Sequence, residues 1–313
     1  MRFLIIDKVH NILCERLKSA GYVCDYEPEI KAEQVNDIVK FYQGLILRTK
    51  ILIDKHFLDD NPQLKIIGRV GSGMENIDVQ YARSKGIICL NSPEGNRDSV
   101  AEHTIALILS LLHNVCVANE QVKSGIWNRE DNRGYELMGK VVGIIGYGNT
   151  GSAVAERLKS FGVKIIAYDK YKQGFGNEWV REVSLSQIFE HTDILTLHIP
   201  LTQETHDMVN KYFIKRFRKK IYLINTSRGQ IVNTNDLVKF LQKGKIFGAA
   251  LDVLEYEKHN FYLNANNEQL SFLRAAPNVI LTPHIAGLTL QSFYKLSEVM
   301  ANKILKVLNN NFV

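Results

Sequence analysis

Short apolar runs alternate with helical patterns along the whole chain. Phe3–Asp7, Val23–Tyr26, Gly44–Arg48, Leu64–Val70 and Ile87–Asn91 read as strands. A second series follows at Val141–Ile145, Lys164–Asp169, Asp193–His198, Ile221–Asn225, Gly248–Val253 and Val279–Thr282. These runs are nearly continuous in apolar residues, as a strand covered on both faces requires. Between them apolar residues recur at helical spacing. Ala101, Ile105, Ile108 and Leu112 predict a helix over Ser99–Leu112. Strand and helix in alternation predict an α/β protein with parallel sheets. The two series predict two doubly wound parallel-sheet domains.

Size and composition change this picture little. The 313 residues suffice for two ordinary domains. With 45% hydrophobic and 23% charged residues, a well-cored globular protein is expected. The first ten residues carry no signal-peptide pattern, and the apolar window Ile105–Leu112 is far too short to span a bilayer. A cytoplasmic protein with no membrane partner is expected. Cys14, Cys24, Cys89 and Cys116 form no CxxC pair and no zinc-ligand spacing, so neither a metal site nor a disulfide framework is expected. The net charge of +6 raises nucleic acid as a partner. The cations are scattered, however, and the KRFRKK run at 215–220 reads as the solvated end of a helix. No nucleic acid is expected; small anionic substrates fit the charge as well.

The stretch from Val141 to Asp169 carries the sharpest chemistry. An apolar strand enters a turn with Gly146, Gly148 and Gly151, a helical pattern follows, and the next apolar run ends at Asp169. Gly146 allows a tight turn, Gly148 lets backbone approach a pyrophosphate, and Gly151 lets the helix pack close to the sheet. The helix N-terminus offers donors and positive dipole to phosphates. Asp169 stands where an acid would hold the ribose diol of NAD and repel a 2′-phosphate. Because this fingerprint opens near residue 141, the dinucleotide (Rossmann) domain is placed at 99–287, after a first domain over 1–98. The Leu290–Leu308 helix is expected to return the 288–313 segment to that first domain, closing a cleft between the two.

Three more segments end strands of the second series: NTSRG at 225–229, LDVLEYE at 251–257 and TPHIAG at 282–287. Ligands of open parallel sheets bind beyond the carboxyl ends of strands. Arg228 offers a planar fork that grips a carboxylate. His284 passes a proton to or from a carbonyl or alcohol oxygen, and Glu257 is placed to fix its tautomer. Hydride transfer needs a carboxylate clamp, a proton relay and a nicotinamide.

With GRVGSGMENID at 68–78, NSPEGNRDSVAEHT at 91–104 and GAALDV at 248–253 added, the chain resembles the D-isomer-specific 2-hydroxyacid dehydrogenases over nearly its whole length. The resemblance implies a flavodoxin-like substrate domain beside the Rossmann domain, and Arg228, Glu257 and His284 as the catalytic triad. It implies NAD contacts from Asn149, Thr150, Asp169, Pro200, Thr226, Ser227, Asp252, Ala286 and Gly287. It places the 71–73 loop, Gly71, Ser72 and Gly73, at the substrate carboxylate. It also implies a homodimer formed through the cofactor domains. One departure is visible: Lys258 follows Glu257 where the family usually has proline, and the segment to Gln269 is polar.

Arg48 and Arg69 end strands of the first domain and resemble the phosphate-binding arginines of D-3-phosphoglycerate dehydrogenases. The reading that follows is oxidation of 3-phosphoglycerate to 3-phosphohydroxypyruvate in serine biosynthesis, by a form without a C-terminal regulatory module. The alternatives are a glyoxylate or hydroxypyruvate reductase, a D-lactate-type dehydrogenase, or a non-catalytic NAD-sensing interaction protein, against which the intact triad speaks.

Overall fold

In the computed structural model, which describes residues 1–257 and 267–310, the apolar runs are parallel strands of two separate sheets. The chain divides into two units, Met1–Arg97 with Gly287 onward, and Asp98–Ala286. Lys258 and the polar segment after it, as far as residue 266, lie outside the described residues.

The first unit contains β1 (Arg2–Ile5), β2 (Val23–Tyr26), β3 (Gly44–Leu47), β4 (Ile66–Arg69) and β5 (Ile88–Asn91), in the order β2-β1-β3-β4-β5. Every residue of β3 is buried, because both faces are covered. Alternation along each strand divides the core. On one face Phe3, Ile5 and Ile46 meet Leu13 and Leu17 of the Ile12–Ser19 helix, and Met300, Ile304 and Leu308 of the Leu290–Asn310 helix. On the other, Leu4, Leu45 and Ile67 meet Val35, Leu58 and Ala82.

The second unit holds β6 (Val141–Ile145), β7 (Lys164–Tyr168), β8 (Val180–Glu182), β9 (Ile194–Leu197), β10 (Ile221–Asn225), β11 (Ile246–Leu251) and β12 (Val279–Leu281). Their order is β12-β11-β10-β9-β6-β7-β8. The chain winds outward from β6 in one direction and from β9 in the other, so a crevice opens where the winding reverses. The Arg97–Leu112 helix is buried on several sides through Ala101, Thr104, Ile105, Ile108 and Leu111. By contrast, no residue of the Val115–Lys123 helix is buried. Strand β8 is absent from the sequence expectation: of its three residues only Val180 is buried, and its pairing to Ile165–Ala167 defines it. No single helix among the described residues is long and apolar enough to cross a membrane.

Candidate active site

The glycine loop leaves β6 at Gly146, whose φ is +93°. A Cβ there would lie 2.3 Å from the His198 carbonyl oxygen, and one at Gly151 would lie 2.0 Å from the Gly146 oxygen. Only glycine lets the Asn149–Leu158 helix start this close to the sheet. Gly148, the residue before that helix, faces open space, and no side chain caps its N-terminus. Uncapped donors beside an open glycine suit an anion. Asn149 is exposed and Thr150 partly exposed in the first turn. Pro200 is exposed after β9, and its carbonyl accepts from the Thr205 hydroxyl at 2.7 Å.

Asp169 follows β7 directly. Its Oδ2 accepts from the Tyr147 N–H at 2.7 Å, and its Oδ1 from the Tyr171 and Lys172 N–H groups at 2.9 and 3.0 Å. Burial acts to raise the pKa of this carboxyl, but the three backbone bonds hold it below its ordinary value. It is an anion at neutral pH, and a carboxylate retains lone pairs beyond three donors for a ribose diol. The open glycine, the uncapped helix and the ionised acid fit a dinucleotide.

The proton-transfer candidates meet on the same unit. Nδ1 of His284 lies 2.5 Å from Oε1 of Glu257, and both side chains are mostly buried, 22% and 13% exposed. The glutamate is therefore not a solvated surface charge. His284 has φ +56°, a left-handed conformation that costs an L-residue on the order of 1–3 kcal/mol. Asp252 supports it. The Asp252 carbonyl accepts from the His284 N–H at 2.7 Å. Its carboxylate accepts from the Ile285 and Ala286 N–H groups, each at 2.9 Å, and from the Thr282 hydroxyl at 2.5 Å. Burial pushes the Asp252 pKa up, yet bonds from His103, Thr282, Ala286 and Ile285 bring it below the ordinary value. His103 thus belongs to the site although sequence reasoning passed it over. Its Nε2 lies 3.2 Å from the Thr282 hydroxyl and 3.5 Å from Asp252. The one signal was a titratable ring in AEHT on a helix that is otherwise mostly apolar.

Arg228 follows β10 in extended conformation, its carbonyl accepting from the Asn225 amide at 2.9 Å and its Nη1 donating to the Ser227 carbonyl at 2.7 Å. A Cβ on Gly229 would lie 2.0 Å from the Leu254 backbone, so this loop runs against the one carrying Glu257. The Gln230 amide joins them by donating to the Glu257 carbonyl at 3.3 Å. Thr226 and Ser227 are buried; the first shares a 3.0 Å hydroxyl contact with Thr104, and the second donates to Asn225 at 2.7 Å.

In the first unit, Arg48 and Arg69 stand at the carboxyl ends of adjacent strands, since Leu47 is in register with Arg69. Burial lowers the pKa of Arg48, opposed by the nearby Asp7 carboxylate. The Arg69 guanidinium occupies the space that a side chain at Gly71 would fill. The 71–73 loop is pinned: Gly71 and Ser92 exchange bonds at 3.1 and 2.9 Å, Ser72 donates to Asn96 at 2.6 Å, and the Asn91 amide reaches the Ser72 carbonyl at 2.7 Å. Gly73 follows, partly exposed. Gly287 has Asn96 against its open side, and its carbonyl accepts from Ser292 at 2.7 Å.

Residues 105–286 match the D-isomer specific 2-hydroxyacid dehydrogenase NAD binding domain. The D-3-phosphoglycerate dehydrogenase of Synechocystis is 34% identical over 98% of this chain and 54% of its own length. The chain thus spans about half of that curated relative. The hydroxypyruvate reductase of Thermotoga maritima is 34% identical over 89% of each chain. Among solved structures, D-lactate dehydrogenase from Aquifex aeolicus, complexed with NAD and lactic acid, superposes with a TM-score of 0.82 at 28% identity, covering 99% of this chain and 96% of that one.

Proposed function

This chain belongs to the D-isomer-specific 2-hydroxyacid dehydrogenases, and from that premise we propose that it is an NAD-linked dehydrogenase of D-3-phosphoglycerate. The carrying observation is the His284–Glu257 pair on a unit that matches an NAD-binding domain. Bound NAD supplies the acceptor for the hydride that leaves C2 of the hydroxy acid. The residues supply the rest. Arg228 offers its planar fork to the substrate carboxylate. With Nδ1 committed to Glu257, Nε2 of His284 takes the C2 hydroxyl proton, and the glutamate stabilises the imidazolium. In the reverse direction the same nitrogen returns the proton to the carbonyl oxygen.

The phosphate is assigned to Arg48 and Arg69, two cations at neighbouring strand ends, one of them poorly solvated. This reading carries with it a cytoplasmic role in serine synthesis. A second reading, a hydroxypyruvate or glyoxylate reductase, draws support from the Thermotoga relative, which is matched over most of its own length. Steady-state rates with 3-phosphoglycerate, phosphohydroxypyruvate, hydroxypyruvate, glyoxylate and D-lactate separate them. Losing a charge-assisted contact costs roughly 1.5–3 kcal/mol. Arg48→Ala and Arg69→Ala are therefore expected to lower kcat/KM for phosphohydroxypyruvate by at least about tenfold and to spare glyoxylate. Equal losses on both substrates would make the arginines structural and favour the reductase.

A further inference from the structure

The turn after β7 carries two cations beside the ribose acid, Lys170 and Lys172, which by charge alone would welcome a 2′-phosphate. Neither is left to do so. Nζ of Lys172 donates to the Tyr147 carbonyl at 3.2 Å, tying the turn back to the glycine loop. Tyr147 reinforces this by stacking on Phe175, with centroids 4.4 Å apart. Lys170 pairs with Glu204, and the Tyr171 hydroxyl donates to the other oxygen of the same carboxylate at 2.7 Å. Glu204 comes from a different loop, a turn after β9 held by Thr202, Thr205 and Pro200. Strands β7 and β9 flank β6 in the sheet, so the Lys170–Glu204 contact crosses the end of the strand that feeds the glycine loop.

We infer that Glu204 is a second cofactor-selecting residue, which excludes a 2′-phosphorylated dinucleotide by holding Lys170 away from it. The inference rests on the reading of the glycine loop and Asp169 as the dinucleotide site, and adds a residue that no fingerprint contains. The charges explain how it works. Asp169 and Glu204 balance Lys170 and Lys172; removing the Glu204 charge leaves the turn net cationic and releases an ammonium beside the ribose. Both partners are about half exposed, so the effect is moderate and screened by salt.

Isothermal titration of the full chain with NAD and with NADP, without hydroxy acid, tests this. Glu204→Gln, an exposed and nearly isosteric change, is expected to tighten NADP by about three- to tenfold while NAD stays within about twofold. The gain should shrink as salt rises. It should vanish in the Lys170→Ala/Glu204→Gln double variant, because the released ammonium is its source. Unchanged NADP affinity in Glu204→Gln, with NAD binding normal, overturns the inference and leaves the NAD site standing. So does a double variant that keeps the full gain. Wild-type protein that bound neither dinucleotide would overturn the cofactor reading and this inference with it.

Discussion

His284 sits in a backbone conformation that side chains avoid, and it is kept there by Asp252 from three directions: one carbonyl and two carboxylate contacts to consecutive N–H groups. Such strain persists only where the surroundings over-determine it. If the side chain is the proton relay, His284→Ala should lower kcat by about 10²–10⁴-fold while the NAD dissociation constant holds. Glu257→Gln should lower kcat less and shift the pH profile, since it keeps a hydrogen bond but loses the charge that favours imidazolium. Pre-steady-state rates that were normal in His284→Ala would remove it from the chemistry. A second histidine behaves differently. His198 has its Nε2 2.9 Å from the Thr196 hydroxyl and its Nδ1 buried without a partner among the described residues. Burial takes its pKa down to about 3. Above pH 6.5 both folded and unfolded states are neutral and nothing is lost. Below it, the unfolded chain takes up a proton that the folded one refuses until about pH 3. Stability should therefore fall by up to about 1.4 kcal/mol per pH unit in that window. Urea titrations at stepped pH should show a flatter decline for His198→Gln; an identical slope would exonerate this residue.

At the scale of elements, the loop after β10 and the loop after β11 act as one piece. Gly229 is the reason, for the Leu254 backbone passes through the space of its missing side chain. Gly229→Ala must push two backbone segments apart, and overpacking of this kind typically costs about 1–3 kcal/mol. The displaced segments carry Arg228 and Glu257. The variant is thus expected to lose stability in chemical denaturation and to lose kcat/KM together, whereas Gly244→Ala, which meets nothing within 4 Å but has φ +65°, should lose stability alone. Retention of both properties in Gly229→Ala would mean that the loops are mechanically independent. Elements also divide by how legible they were. The strands buried on both faces stand out because nearly every residue is apolar, as in GLIL of β3 and VVGII of β6. Strand β8 is invisible locally, since its VRE owes its shape to the backbone of β7 and to the Asn177 side chain, which accepts from the Val180 N–H at 3.0 Å.

For the molecule as a whole, the second unit leaves an apolar surface that its own core does not use. Val115 and Val122 of the Val115–Lys123 helix, Trp127, Tyr135 and Met138 are at least half exposed, with Trp127 at 79%. A helix with no fully buried residue is hard to sustain alone. The expected homodimer would cover it. Sedimentation equilibrium should find a dimer in the wild type and a shift toward monomer in Trp127→Glu/Met138→Glu. A wild-type monomer at micromolar concentration would remove that expectation.

The amino-acid sequence by itself determined the buried strands other than β8, the parallel sheets, the glycine loop, and the Arg228, Glu257 and His284 candidates. All of these are local: a buried strand announces itself in four or five apolar residues, and a phosphate turn in six. Contacts between distant segments were decided only by the tertiary structure. His103 meets Thr282 across 179 positions, and Lys170 meets Glu204 across 34. Nothing in AEHT says that its histidine will touch a carboxylate at the end of β11, and nothing in LTQET says that its glutamate will neutralise a lysine after β7. Such pairings follow from strand order, because β6, β7 and β9 share one end of a sheet while standing far apart in the chain. Local patterning specifies which residues are buried and where chains turn; strand order specifies which loops become neighbours, and the chemistry of the site is a property of those neighbours.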